Sequence, residues 1–400
     1  MKVAVMLLIY FCLYLLGAVL TDLCLRKWKR TEKKAGTLRK FWLIPYTLLN
    51  LLPIAGAFFP DSRLKFALAA AGNVWLGFYL YYGGILLILL AVHGLVRLLS
   101  RGRLAGLHGG ILCVSVLAAL LLWITGMVHA HAPRTVTYDI TLPGDGSGTE
   151  DQTYVLLGDL HLSVNSNPRL MQKMTDLINQ EQPDAVVIAG DIFTSTYQGL
   201  SHPETYAKIL SGIQAKNGVY AVYGNHDVEE TLLGGFAISP VSEAFRSDEM
   251  TAFFDDCHFI TLADETAVLP GGIQLAGRID GEKAGDGTKD RMTPEELLGG
   301  LDPELPIVVL EHEPIEFEAL SQAGADLILC GHTHAGQIFP GNLIVPLFNE
   351  NAWGYKRLHD VDTYVTAGMG YYGPPMRVGT DSEVTVLHIT FKQGGNQDDR

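Results

Sequence analysis

Cysteine is scarce. The chain has five in 400 residues, an odd number, and three of them (Cys12, Cys24, Cys113) stand in or beside apolar runs. That excludes a disulfide scaffold, and Cys257 and Cys330 allow at most one bridge in the remainder. Charge is also thin, at 18% Asp, Glu, Lys and Arg against 48% hydrophobic residues, with a mean hydropathy of +0.20. A disordered or collagen-like chain has the opposite balance. No internal repeat or low-complexity tract is present. Basic residues are lacking in one part only. Residues 131–400 hold 15 Lys and Arg against 40 Asp and Glu, whereas residues 1–130 hold 14 bases against three acids. Such asymmetry marks two parts in different surroundings. The acidic part lacks the basic face that phosphate-backbone binding needs, so no nucleic acid is expected as a partner. It suits a site that recruits cations.

The first part carries four apolar runs without an acid or base, at 3–20, 41–59, 66–96 and 109–128. About 20 apolar residues cross a bilayer as a helix, so residues 1–130 are expected to form a multi-pass, four-helix transmembrane region, the third run being one long or tilted helix. Trp42, Trp75, Tyr79, Tyr81, Tyr82 and Trp123 include candidate interfacial anchors. The first run is too long, and its end too poor a cleavage site, for a cleaved signal peptide. Bases crowd residues 21–40, and Arg97, Arg101 and Arg103 follow the third run without an acid. By the positive-inside rule these loops face the cytoplasm, which puts everything after Val128 on the extracytoplasmic side. His93 is the one ionisable residue inside a run, so the spans read as an anchor rather than a transport path.

Residues 132–392 alternate short apolar runs with amphipathic stretches, an α/β pattern, and 393–400 form a polar tail expected to be flexible. Strands are expected at Arg134–Leu142, Tyr154–Leu157, Ala185–Ala189, Val219–Tyr223, Ile307–Leu310, Leu327–Leu329, Tyr364–Thr366 and Val384–Ile389. Helices are expected at Pro168–Gln180, Pro203–Gln214, Pro240–Phe254, Pro294–Leu301 and Glu316–Ala323.

Five of the runs end in residues of one chemical kind: Gly158-Asp159-Leu160-His161, Gly190-Asp191, Gly224-Asn225-His226-Asp227, Glu311-His312-Glu313-Pro314 and Gly331-His332-Thr333-His334. Ligands of α/β sheets gather beyond the carboxyl ends of strands, and glycine there lets the backbone turn sharply. Singly, a D-x-H or a G-D is ordinary capping or turn chemistry. All five together, each after an apolar run, point to a metal site.

These motifs resemble the calcineurin-like metallophosphoesterase superfamily over roughly residues 135–391. The stretch 331–337 (G-H-T-H-A-G-Q) and the ending 370–387 look like its membrane-associated bacterial branch, which includes cell-envelope phosphoesterases and enzymes of lipid-linked phosphates. The resemblance implies two packed β-sheets flanked by helices, a two-sheet sandwich. It also implies two divalent transition-metal ions (Mn, Fe, Zn or Co). Asp159, His161, Asp191 and His334 would hold one, and Asp191, Asn225, His312 and His332 the other, with Asp191 bridging. Two such metals can acidify a bridging water and clamp phosphoryl oxygens during in-line displacement. His226 is then the general acid or a charge stabiliser at the leaving oxygen. Asn225 is placed to touch the phosphate, and Asp227 either orients a histidine or is a plain turn carboxylate. Arg377 could bind phosphate bidentately or sit in a surface ion pair, and Gln337 is a second substrate-side candidate. Two positions depart from the pattern: Thr194 closes the second motif where the family often has Asp, and Ala335 stands where the branch usually has Gly.

The expected activity is hydrolysis of a phosphodiester, pyrophosphate or phosphomonoester, on a lipid-linked or cell-envelope substrate. The competing expectation is a catalytically silent membrane receptor or scaffold that binds a phosphorylated ligand, against which the complete ligand set counts.

Overall fold

A computed structural model describes residues 2–28, 32–55, 59, 62–101, 107–143, 151–233, 236–237 and 239–391. The tail at 393–400, and parts of the loops used above for orientation, lie outside the described residues. The chain divides into two compact units. One comprises Met1–Val128 with Leu232–Ile238 and Gly373–Met376; the other is His129–Thr231, Ser239–Tyr372 and Arg377–Arg400.

The first unit contains α1 (Lys2–Trp28), α2 (Glu32–Ala55), α3 (Arg63–Leu99) and α4 (His108–Ala130). Among the described residues, α3 and α4 are long and apolar enough to cross a membrane, with mean hydropathies of 2.0 and 2.5. Polar contacts join the helices at particular points. Thr21 Oγ1 lies 2.6 Å from the Tyr82 hydroxyl, and the Trp123 indole donates to the Val74 carbonyl at 2.8 Å. In an apolar surround such bonds fix which helix faces meet. Three of the six aromatic candidates for interfacial anchors lie inside the first unit instead. Tyr79, Tyr81 and Tyr82 are buried, and Tyr82 packs against Trp42 and Tyr46 of α2 and against Phe78 one turn before it on α3.

The second unit carries the chemistry. Its strands are β1 (Arg134–Leu142), β2 (Gln152–Leu157), β3 (Ala185–Ala189) and β4 (Val219–Val222). After the hairpin β5 (Leu232–Leu233) and β6 (Phe236–Ala237), which groups with the first unit, come β7 (Ile260–Thr261), β8 (Glu265–Val268), β9 (Gln274–Gly277), β10 (Ile307–Leu310) and β11 (Leu327–Cys330). β12 (Gly354–Leu358), β13 (Val361–Val365) and β14 (Glu383–Phe391) complete the set. One sheet runs β1-β14-β2-β3-β4-β7 and the other β12-β13-β11-β10-β9-β8. Both are mixed. β2, β3, β4 and β7 pair in parallel in the first, and β9, β10, β11 and β13 in the second.

Period-two alternation sorts the side chains into layers. Tyr154, Leu156, Val187 and Val222 of the first sheet meet Leu275, Val308, Leu310 and Leu329 of the second in a shared core. Val155, Leu157, Val186 and Ile188 face outward onto α5 (Pro168–Glu181), α6 (Pro203–Leu210) and α7 (Asp248–Asp256). Ile307, Val309 and Ile328 face onto α8 (Pro294–Leu298) and α9 (Phe317–Gln322). The helices start where their sequences direct: Thr293 and Glu296 form a reciprocal capping box ahead of Pro294, and Asn167 caps α5 before Pro168. The stretch expected to be helical from Pro240 is a short 3-10 turn at Val241–Glu243 and then α7, separated by extended backbone at Ala244. A short helix, α10 (Gly341–Ile344), follows the last histidine motif.

Candidate metal centre

The carboxyl ends of β2, β3 and β4 deliver Asp159, Asp191 and Asn225, and those of β10 and β11 deliver His312 and the pair His332, His334. Two glycines permit the convergence. Gly190 has φ +77°, and a Cβ on it would sit 2.6 Å from the Gly224 nitrogen and 3.0 Å from His312 Nδ1. A Cβ on Gly224 would strike the Asp191 carboxylate. The ligand positions themselves are strained. Asp159, His161, Asp191, His332 and His334 all have φ between 47° and 74°, a region that costs a non-glycine residue about 1–3 kcal/mol. Strain of this kind persists only where the surroundings over-determine it.

Those surroundings are hydrogen bonds that cross between the two sheets. The Asp159 carboxylate accepts the His332 backbone N–H at 2.9 and 3.1 Å. His312 Nδ1 donates to the Ala189 carbonyl at 2.7 Å. That bond leaves His312 Nε2 turned to the site, facing Asp191 Oδ2 at 3.1 Å and Asn225 Oδ1 at 3.0 Å. The Asn225 amide is oriented by donation to Glu282 Oε2 at 3.1 Å. His332 Nδ1 stands 3.2 Å from the same His312 nitrogen. On the other side, His161 Nδ1 bonds Thr194 Oγ1 at 3.1 Å, and His161 Nε2 faces His334 Nε2 at 2.9 Å and Asp191 Oδ2 at 3.5 Å. His334 Nε2 lies 3.6 Å from Asp159 Oδ1. Ligand atoms of Asp159, His161 and His334 lie within 4.8 Å of one another, as do those of Asp159, Asp191 and His312. Acceptor atoms this close repel unless a cation or proton lies among them, so the donor set fits divalent metal. Mixed imidazole, carboxylate and amide ligands suit a transition metal rather than calcium.

The electrostatics carry the same strain. Burial pushes the Asp159 carboxyl up to about 7, opposed by His312. Burial pushes His161 and His332 down to about 4 and His226 to about 3. His312 goes the other way. Burial lowers it, but the Asp191 carboxylate overrides this and holds it well above the ordinary imidazole value, while Asp191 is held well below its own against burial.

A family description, calcineurin-like phosphoesterase, matches residues 153–336. The chain is also 32% identical over 325 residues to a transmembrane protein with metallophosphoesterase domain from Danio rerio, across 77% of this chain and 71% of that protein. The chain belongs to the calcineurin-like phosphoesterase family. A Bos taurus protein of the same description as the Danio rerio one is 30% identical, and an uncharacterized metallophosphoesterase from Helicobacter pylori is 29% identical, over 68% and 60% of this chain. The chain spans 61% and 60% of those two proteins. Family membership makes the phosphoesterase a hydrolase of phosphoric ester bonds with clustered ligands for divalent metal.

Asp159, His161, Asp191, Asn225, His312, His332 and His334 thus come together around one point. His226 is beside them, half-buried, its ring stacked on Tyr372 with centroids 4.6 Å apart. Three expectations need correction. Asp227 does not touch a histidine; its carboxylate accepts the backbone N–H groups of Phe193 and Gly224 and ties the second and third motifs together. Arg377 is fully buried, and its guanidinium donates to the carbonyls of Gly368 at 2.8 Å and Gly370 at 2.7 Å, under His334. It braces the loop from within instead of facing a phosphate. The Gln337 amide clasps the backbone of Tyr372, accepting its N–H and donating to its carbonyl. Sequence reading missed Tyr372, inside the 370–387 ending, and Ser195, Glu230, Glu282 and Lys283, which lie in loops beside or beyond the motifs. The one usable signal was Thr194, which marked this turn as atypical.

Proposed function

We propose that the phosphoesterase is a membrane-anchored, dinuclear-metal hydrolase, in which residues 1–130 anchor a catalytic domain at 132–392. The observation that carries it is the set of seven ligand side chains from both sheets, each within 2.9–3.6 Å of another. Asp159, His161, Asp191 and His334 would hold one metal and Asp191, Asn225, His312 and His332 the second. Asp191 Oδ2, near both His161 and His312, supports its bridging place. When bound, the metals supply Lewis acidity toward the phosphoryl oxygen and a more acidic water. The chain does the rest. Asn225 holds its carbonyl oxygen inward, and the Asp191 carboxylate fixes the His226 backbone through Oδ1 at 2.8 Å. His226 delivers a proton to the leaving oxygen from Nε2; the negative charge of bound phosphate favours the charged imidazole there.

Two helices able to cross a membrane, and relatives named as transmembrane proteins, support the anchor. The basic loops support four spans with the site on the extracytoplasmic face. On that face the substrate class is a lipid-linked or cell-envelope phosphoester. A reporter fusion that places residue 400 in the cytoplasm would overturn the orientation. The activity is tested with the full chain in detergent, with and without Mn²⁺, on an aryl phosphodiester and the matching monoester. Metal-dependent turnover that disappears in Asp191→Ala is expected. A chain that binds metal yet turns over neither ester with any divalent ion would favour the receptor reading.

A further inference from the structure

His226 is oriented by groups outside every motif. Its Nδ1 lies 2.7 Å from Ser195 Oγ. The same hydroxyl donates to Glu230 Oε2 at 2.9 Å, and Lys283 Nζ donates to that oxygen at 2.9 Å and to the Asn225 carbonyl at 3.1 Å. The Ser195, Glu230 and Lys283 side chains are all nearly sealed from solvent: Ser195 has no exposed surface, and the Glu230 and Lys283 side chains are 1% and 6% exposed. The backbone repeats the linkage, since Ser195 N–H donates to the His226 carbonyl and Glu230 N–H to the Ser195 carbonyl, each at 2.9 Å.

Hydrogen counting along this row gives one answer. Lys283 has only donors, so the Glu230 oxygen it meets is an acceptor, and a carboxylate paired to an ammonium is ionised. The single Ser195 hydroxyl hydrogen therefore points at Glu230. Ser195 Oγ then has only lone pairs to offer His226, so Nδ1 carries a hydrogen. Nε2 is left as the ring nitrogen turned to substrate, whether or not it holds a proton. We infer that Ser195, Glu230 and Lys283 form a positioning relay that fixes the tautomer and the plane of His226 for proton delivery to the leaving group. Asp227, for which the sequence allowed either this role or that of a turn carboxylate, accepts the Phe193 and Gly224 backbone N–H groups instead. The relay also joins two loops far apart in the chain, 195 and 283, to the third motif.

This rests on His226 acting at the leaving oxygen, and the test separates the two claims. The full chain, loaded with Mn²⁺, is assayed on aryl phosphodiesters whose leaving phenols differ in acidity. Ser195→Ala and Glu230→Gln should lower kcat by about 10–100-fold, most on the least acidic phenol, with KM changed less than about twofold and metal content unchanged. Ser195→Thr, which keeps a hydroxyl, should recover most of the loss. If His226→Ala steepens the leaving-group dependence and Ser195→Ala does not, the relay is wrong and the role of His226 stands. If His226→Ala leaves the dependence flat, the role of His226 fails. A second measurement needs no turnover. In histidine-selective ¹⁵N spectra of the metal-free full chain, the signal lost in His226→Ala should show a hydrogen on Nδ1, and Ser195→Ala should turn it into a mixture of tautomers. A hydrogen on Nε2 alone in the unaltered chain would overturn the relay.

Discussion

The sheet holding β2, β3 and β4 ends its parallel strands in Asp159, Asp191 and Asn225, whereas the sheet holding β10 and β11 ends its own in His312, His332 and His334. One edge supplies oxygen and the other nitrogen, with His161 the exception. Each edge is also held by the other: His332 N–H fixes Asp159, and the Ala189 carbonyl at the end of β3 fixes His312. Neither sheet therefore contains a finished half-site. The arrangement behaves as a joint, in which misplacing one sheet releases the ligands of both. A transition metal with mixed ligands suits that joint, because its bonds would run across it.

The oxygen edge carries the charge, so breaking it should do most harm. Asp191→Ala removes the carboxylate that faces His161 and His312 together and accepts the His226 backbone. Turnover should fall on the order of 10⁴-fold, ~5 kcal/mol of barrier, with metal content falling in parallel. His332→Ala on the nitrogen edge should weaken metal only, keeping residual activity at high metal concentration. Equal losses in both would remove the distinction between the edges.

The next effect lies behind the nitrogen edge. Arg278, 1% exposed, donates to Glu311 Oε2 at 2.8 Å and to Glu316 at 3.0 Å, and Arg291 reaches the same Glu316. Glu311 immediately precedes His312, and burial pushes its carboxyl up to about 7 despite both arginines. Arg278→Ala should destabilise the fold by about 3–5 kcal/mol, since it leaves a buried carboxylate with less compensation. Chemical denaturation at pH 8 reads this. The loss should shrink toward pH 5, where Glu311 is protonated. A loss that does not depend on pH would mean that packing, not charge, is what Arg278 supplies.

Metal uptake should show which edge holds protons. His161 and His332 are already neutral above about pH 5, so they add nothing near neutrality. Asp159, at about 7 in the metal-free chain, must release its proton first. His312, held high by Asp191, has one to lose as well. Apparent metal affinity should therefore fall as pH drops below 7, by about tenfold per unit or more, with at least one proton released. Titration calorimetry in buffers of different ionisation heat measures the count. A flat profile between pH 6 and 7 would show that neither Asp159 nor His312 gives up a proton when metal binds.

The strand ends and their ligands were legible in the sequence because each ligand follows a short apolar run directly. β1, β3 and β10 begin and end where the runs do. β8, β9 and β12 were not legible: β9 is Gln-Leu-Ala-Gly and β12 is half polar, so both lack the β-branched runs that announce a strand. The groups that orient His226 escaped for a different reason. Ser195, Glu230 and Lys283 are polar residues in loops, and only the folded chain shows that they are buried and joined. Arg377 and Asp227 sat inside motifs and drew roles from them, yet their shortest bonds are to backbone. A motif names the residues at a site; burial and hydrogen bonding decide what each one touches.

The mildest change sharpens the comparison at the nitrogen edge, at the residue after His334. Ala335 follows His334 at φ 51° and ψ 24°, a left-handed conformation that a Cβ disfavours. Glycine there would remove the clash but give the unfolded chain more freedom, so the two effects oppose. The native strain is the larger, and Ala335→Gly should stabilise the fold by about 0.5–1 kcal/mol. His334, next to it, stays where it is because its ring is held by Arg377 and faces Asp159 and His161. Metal affinity should then be unchanged while the denaturation midpoint rises. A rise in midpoint together with weaker metal binding would show that Ala335 strain helps place His334, and a fall in midpoint would show that the methyl group packs better than its backbone angle suggests.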